Sequence, residues 1–508
     1  MKKALLIFMY CLIQNAVFAK PVVNVVTLYP SVSGAVRSED FTVTVNNRTA
    51  FVEKMARFDV PMHYVRFAYN GQKKISITVT ANQKISSFTI SPKCKNITGI
   101  VKGNTLNFLL DKPQYLVVSI NSMEYLFFLI DAPKHSHPQL RDPGVRNIME
   151  YGIDNTGNSP VTLKLQKAID KASNPGESHT LYFPAGTYLT GQIDMKSNVN
   201  LYLDPGALIK GTIHPEDYES CLIRFDGVSN VQITGHGTID GSGWDGLRKN
   251  NGKEIYLLFL SRCNNILIDG PVLRDPCFWN TRVFTSKQVH MRNIKIINNR
   301  PAANWTNTDG VDFDSSSDCD LINAIMHTGD DNMVVKGLDN KEGHNTERIL
   351  FEKIIGLSNS AATKLGTETV VQYFRHIVFK DIDIIKCKRA IVIDGYDTSI
   401  INHIQFLNIT VEGADFNGKE GPRIIDLEIT NNSWRECLGQ CKISNVLIKN
   451  IDVLFKANNV QSHIYGRNSD YNINHVIIQN YRIQGKLIPS LKKANILIND
   501  FAYRIELR

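Results

Sequence analysis

After its first nineteen residues the sequence never gathers the ~18 uninterrupted apolar residues that a membrane-spanning helix needs, so no membrane insertion is expected. It holds no C-x-x-C pair and no His/Cys group at zinc spacing, so no zinc site is expected, and the carboxylate chemistry read below works by proton transfer and calls for no metal or other cofactor. Charge of one sign is scarce too. With 57 Lys+Arg against 49 Asp+Glu the net charge is +8, or 55 against 49 and +6 without Lys2 and Lys3. No long basic run is present, which excludes nucleic acid as the implied partner. What the chain does have is length and apolar matter. Its 508 residues exceed the ~100–200 of an ordinary domain, and 43% of them are apolar. A single compact unit of this size requires a repeat array.

The N-terminus carries an address. Met1-Lys2-Lys3 precedes the apolar run ALLIFMYCLI, and Val17-Phe18-Ala19 has the form of a cleavage site. This is the pattern of a signal peptide over residues 1–19, cut near Ala19, and it places the mature chain outside the cytoplasm, secreted or periplasmic. Cys11 lies inside the apolar run and not at a lipoprotein-type site. Eight cysteines then remain. Cys437 and Cys441, four apart in a loop, are the pair best placed to bridge, and the others read as small buried hydrophobes.

Residues 20–131 alternate with period two, as in FTVTV at 41–45 and KISITVTANQKISSFTI at 74–90, which predicts a small antiparallel β-sandwich. The proline-rich stretch 132–148 reads as a linker. Ser159-Pro160 supplies an N-cap and first-turn proline for a helix to residue 172, with Leu165, Ala168, Ile169 and Ala172 on one face. Beyond it, paired β-branched runs recur around Asn or Gly corners, from NVNLYLDPGALIKGTI at 199 to HVIIQNYRIQG at 475. An interval of mostly ~24–34 residues marks a solenoid. The expected fold is all-β: a right-handed parallel β-helix over 149–508, capped by the helix and preceded by the sandwich. Propeller blades need longer, more regular repeats.

The strongest chemical signal is NTDGVD at 307–312 followed by TGDDN at 328–332. Asp309 and Asp331 are one coil apart, so they stack on neighbouring rungs ~4.8 Å apart. Asp330 and Asp331 both face outward only if the chain bends there, and Gly329 suits a bend. Three crowded carboxylates cannot all stay ionised cheaply, and the expectation is that Asp330 keeps its proton between Asp309 and Asp331, which stay ionised. One held protonated beside one held ionised is the equipment of glycoside hydrolysis. An Asp/Asn corner ladder explains such a triplet poorly, and calcium is a further reading of clustered carboxylates. Stacked rungs bring carboxyls closer than the ~6.5–9.5 Å of an inverting pair, so Asp309 or Asp331 must splay outward.

NTDGVD, SSS and GDDN, with GTYLTG at 186–191, LYLDPGALIKG at 201–211 and GHGTIDGSG at 235–243, resemble the polygalacturonase family, glycoside hydrolase family 28. The resemblance implies Asp330 as general acid, Asp309 and Asp331 as the residues that position and activate water, and inversion at the anomeric carbon. Two features of that family are missing. SAATKLGTET at 360–369 stands where a Gly-His-Gly belongs, and RAIVIDG at 389–395 where an Arg-Ile-Lys would hold a galacturonate carboxylate. Lys364, Lys388 and Arg389 lie nearby as replacements, and the losses move the expected substrate towards a neutral glucan or galactan. The sandwich-plus-β-helix order also resembles the dextranase and isopullulanase family, glycoside hydrolase family 49.

Substrate-binding candidates are Lys364, Arg389, Trp279 and Asn280, with Phe374, Tyr396 and Tyr465 as further sugar platforms. His236 reads as a coil corner. The expected activity is that of an inverting glycosidase on a polysaccharide or oligosaccharide, acting as a monomer. A polysaccharide lyase and a non-catalytic glycan-binding β-helix are the alternatives.

Overall fold

The computed structural model of the protein describes residues 25–508, except 56–61, 134–136, 249, 251–253, 299–306, 340, 342–343, 415–420, 432–437 and 458–459. The signal-peptide reading and Cys437 of the expected cysteine pair lie outside the described residues.

Two sheets form the N-terminal sandwich. One, of five strands, runs in the order Arg48–Ala50, Phe41–Val45, Ile75–Ala81, Thr105–Leu110, Gly99–Lys102 and is antiparallel throughout. The other, of six, departs from the antiparallel expectation: Leu126–Asp131 runs parallel to Met62–Tyr69. Every residue of both these strands is buried. Alternation is lost because each face has a partner. Val65, Phe67, Phe128 and Ile130 point into the sandwich core. Met62, Tyr64, Phe127 and Leu129 pack against Val272, Ile297, Ile325 and Ile355 of the second domain.

That second domain is a right-handed parallel β-helix. An eighteen-stranded sheet starts at Val145–Asn147, and an eleven-stranded sheet runs from Ile193–Asp194 to Ile496–Ile498. Inward side chains stack rung upon rung. Phe351, Phe379 and Phe406 stand 5.0 Å apart with their planes 4° from parallel, the strand spacing written in side chains. Asparagines make the corners because they tolerate left-handed φ. Asn198, Asn230 and Asn265 all adopt it, and their side-chain amides form a ladder at 3.1 and 2.8 Å. Asn408, Asn450 and Asn480 repeat it at 2.8 and 2.9 Å.

The capping helix is Thr162–Ala172, with Leu165, Ala168, Ile169 and Ala172 buried on the first coil. It starts later than Ser159-Pro160 predicts. Val161 N–H still donates to Leu189, and the Thr162 hydroxyl accepts from Gly191 N–H at 2.8 Å. The chain thus stays tied to a strand until Val161, and no side chain caps the helix.

The seam between the domains is polar as well as apolar. Arg274 of the β-helix binds Glu53 and Asp240 at 2.7 and 2.6 Å. Lys295 meets Asp131 at 2.5 Å. His236, at the coil corner expected of it, pairs with Asp131 at 3.1 Å and stacks on Tyr29. No helix among the described residues is long and apolar enough to cross a membrane.

Candidate active site

Successive strands of the eleven-stranded sheet, Val311–Asp314, Met333–Gly337, Ala361–Thr369 and Arg389–Gly395, lie side by side in parallel. A cleft of about 680 Å³ opens over them, lined by Asp309, Asp330, Asp331, Lys336, Lys364, Glu368, Lys388, Arg389 and Asp394 among others. Val311 is level with Met333, which puts Asp309 across from Asp331. The backbone closes this step: Gly310 N–H donates to the Asp331 carbonyl at 2.9 Å. A Cβ on Gly310 would come within 2.4 Å of the Asn332 carbonyl oxygen, so only glycine lets the two rungs approach.

The chain bends at Gly329-Asp330, as two adjacent outward carboxylates require. Hydroxyls of Thr328 and Ser358 donate to the Asp330 carbonyl at 2.5 and 2.7 Å. Asn332 donates to Thr328 and to the Leu357 carbonyl. The bend is therefore held from the next coil, and the Asp330 side chain is left for the cleft.

Electrostatics separate the neighbours. Burial, helped by the charge of Asp331, pushes the Asp330 carboxyl up to about 7 in spite of Lys364 and Lys336. Burial acts on Asp331 as well, but Lys364 and Arg389 outweigh it and hold that carboxyl well below the usual range. Lys364 Nζ lies 2.8 Å from Asp331 Oδ2, and Ala361 N–H donates to Oδ1 at 2.8 Å. Asp309 departs from the expectation that it stays ionised beside its neighbours. Burial and the charge of Asp312 raise it far above the ordinary value, although Lys336 opposes them. Asp312 itself is pushed up to about 7, chiefly by burial. Lys336 Nζ stands 3.6, 3.5 and 3.3 Å from Asp309, Asp312 and Glu368. One cation among three carboxylates does not neutralise them.

Of the expected sugar contacts, Lys364 and Arg389 do line the cleft, tied to carboxylates. Arg389 reaches Asp394 at 3.1 Å and Asp426 at 3.3 Å. Trp279 also lines the cleft, but only 9% of it is exposed. Its ring is already engaged, with Phe278 stacked at 5.2 Å and Lys336 Nζ 3.8 Å from the centroid. Asn280 is fully buried instead of facing substrate. It donates to Asn298 at 2.9 Å, and Asn298 donates to the carbonyls of Thr308 and Asp309 at 2.9 and 3.2 Å. Just ahead of the strand Thr281–Phe284, its own N–H donates to the Asp309 carbonyl at 2.9 Å, so it lies behind the Asp309 backbone and braces the site. Phe374 is buried in the β-helix core and is no platform. Tyr396 lines the cleft, whereas Tyr465 stacks on His463 two rungs further on.

Sequence reasoning missed Lys336, Glu368 and Asp394. Nothing local marks Lys336 as more than a strand residue. Glu368 enters the cleft through a register shift between the strands at Val335 and Gly337.

Two groups among the described residues bring His and carboxylates close enough for a metal ion: Asp40, His63 and Glu124, and Asp426, Glu428 and His463. The second adjoins the cleft, yet its chemistry does not fit a cation. Arg389 and Arg423 already sit on Asp426. Burial alone would depress the His463 imidazole, but Asp426 and Glu428 raise it to about 9. A protonated imidazole has no lone pair to give.

Comparison with known proteins matches the model of glycosyl hydrolases family 28 over residues 175–496. A polygalacturonase of Medicago sativa is 24% identical over 344 residues, 61% of this chain and 75% of that protein. Among solved structures, Dex49A from Penicillium minioluteum superposes with a TM-score of 0.61 at 12% identity, covering 96% of each chain. A hyperthermoactive exopolygalacturonase from Thermotoga maritima gives 0.50 at 19% identity, over 73% of this chain and 93% of that one. These structural likenesses establish the fold, sandwich included.

Proposed function

The chain belongs to glycosyl hydrolases family 28 and is a glycosidase, and from that premise we propose that it hydrolyses a polysaccharide with inversion, Asp330 serving as general acid. The observation that carries this reading is the split between adjacent residues: Asp330 raised to about 7 and Asp331 held well below the usual range on one bend. Neutral Asp330 donates its proton to the glycosidic oxygen as the bond to the anomeric carbon breaks. Water attacks from the opposite face and gives its proton to Asp309, the more basic carboxylate once ionised. Asp331, fixed by Lys364 and Ala361 N–H, orients that water. Lys336 lowers the cost of ionising Asp309. Return of one proton to Asp330 and loss of one from Asp309 resets the site.

The reading extends to an exported monomer, on the strength of the Met1–Ala19 pattern and a cleft built from one chain. Reducing-end release from a panel of polysaccharides, with the first product anomer followed by NMR, tests the proposal. An initial product of the substrate's own anomeric configuration removes the inverting mechanism. Full activity in both Asp330→Asn and Asp309→Asn removes the site.

A further inference from the structure

We infer that Asp40, His63 and Glu124 form a binding site for one zinc ion, which clips together the two sheets of the N-terminal sandwich. Asp40 stands immediately before Phe41–Val45 of the five-stranded sheet. His63 lies on Met62–Tyr69, and Glu124 stands two residues ahead of Leu126–Asp131, the neighbouring strand of the six-stranded sheet. Three strands thus supply one ligand each, which leaves no spacing motif in the sequence. One oxygen or nitrogen atom from each residue lies within 4.8 Å of the other two. His63 Nε2 faces both carboxylates, 3.5 Å from Asp40 Oδ2 and 4.0 Å from Glu124 Oε2. Ligands ~2.0–2.1 Å from a tetrahedral zinc ion are ~3.4 Å from one another, so small movements of the two carboxylates close the set.

The histidine distinguishes this set from a chance group of acids. It is fully buried, yet neither ring nitrogen has a hydrogen-bond partner among the described residues. A buried polar atom left so is costly, and a bound ion offsets that cost. Burial lowers the His63 imidazole below its ordinary value although Asp40 opposes the shift, so a lone pair is available. His463, raised to about 9, has none to give. Phe41 holds the His63 ring edge-on at 4.9 Å, and Asn82 donates to Asp40 Oδ1 at 2.8 Å, leaving Oδ2 towards His63. Lys54 is the competitor. Its Nζ meets Asp40 Oδ2 at 2.8 Å, but its side chain is 24% exposed and can swing into water when a divalent ion arrives. The Asp40 and Glu124 side chains are 20% and 37% exposed, which gives the ion a way in and water the fourth position. An imidazole beside two carboxylates suits zinc better than calcium, which takes ~6–8 oxygens.

The probe is zinc chloride, titrated by calorimetry near neutral pH into the full chain after stripping with a chelator. The wild-type protein is expected to take up one zinc ion per chain, and its thermal midpoint should rise by ~2 °C or more at ~100 times Kd. Loss of one ligand, in Glu124→Gln or in His63→Phe, should weaken uptake ~10-fold or more. Lys54→Met should tighten it. Uptake should weaken as pH falls and protons compete for His63. Low-temperature kcat/KM should be the same with and without zinc, because none of the three residues lines the cleft. No uptake by the wild-type protein overturns the inference. So does uptake that both ligand variants keep at wild-type strength, which would place the ion elsewhere, the His463 cluster included. Calcium bound as tightly as zinc overturns it too. Glu124 is partly exposed, so its variant decides even if His63→Phe fails to fold. None of these outcomes bears on the hydrolase reading, which Asp330→Asn tests separately.

Discussion

At the seam between the domains Arg274 lies 2.6–2.7 Å from Glu53, Asp240 and the Tyr64 hydroxyl, whereas Lys336 in the cleft stands 3.3–3.6 Å from three carboxylates. Both clusters are buried, and they titrate in opposite directions. Seam acids have matched partners. Burial would raise Asp131, but Lys295 and His236 bring it below the usual range, and Arg274 does the same for Asp240. Burial raises Asp309, Asp312 and Asp330, and too few cations stand beside them to offset it. The difference teaches which buried charge is structural: one with a complete set of partners stabilises its protein, and one left crowded is poised for proton transfer.

The sharpest way to break that contrast is Asp330→Asn. Turnover on the natural polymer should fall ~10²–10⁴-fold. The thermal midpoint at pH 8 should rise, because an acid raised to about 7 costs the fold stability as pH climbs from its unfolded value near ~4. A lower midpoint with activity kept would make Asp330 structural. At the seam, Asp131→Asn leaves Lys295 buried without its counter-charge. That should cost ~3–5 kcal/mol, read as a lower midpoint in calorimetry, with kcat at low temperature unchanged. The pH dependence has the reverse sign. Stabilisation by Asp131 is present above the unfolded value near ~4 and is lost as pH falls below it, so wild-type and variant midpoints should converge in acid.

Lys336→Met sharpens the comparison by removing the one cation shared by Asp309, Asp312 and Glu368. Asp309 stands above Asp330 and so sets the alkaline limb of the kcat/KM profile. That limb should move up by about one pH unit or more and the plateau should fall, because Asp309 becomes harder to ionise. An unmoved limb would mean that another group sets it. The smallest effect is expected from a chelator. Proton transfer between carboxylates needs no metal, so dialysis against EDTA should leave kcat/KM unchanged, and a loss restored by calcium would favour a lyase.

Much of the fold was legible in the chain. Asn corners at residues such as Asn230 and Asn265, and β-branched runs between them, specify coils locally, because left-handed φ and inward packing are properties of single rungs. The doubly buried strands Met62–Tyr69 and Leu126–Asp131 were not: residues 20–131 read as alternating throughout, whereas these two lose alternation because both faces are covered. The Asp309…Asp330-Asp331 block was as visible as the coils, since all three lie within one coil and its spacing matches the rung offset.

The partners of those aspartates were decided only by stacking. Lys336, Lys364, Glu368 and Asp394 come from three further strands, and coils of unequal length hide which residue stands above which. A register shift between Val335 and Gly337 decides where Glu368 falls without leaving a mark in the sequence. The same holds for ionisation: Asp309 was expected to carry charge, and burial beside Asp312 reverses that. Sequence determined where carboxylates gather, because spacing along a coil is a local property. Which of them keeps its proton depends on desolvation and on charges brought from other rungs, and those exist only once the helix is stacked.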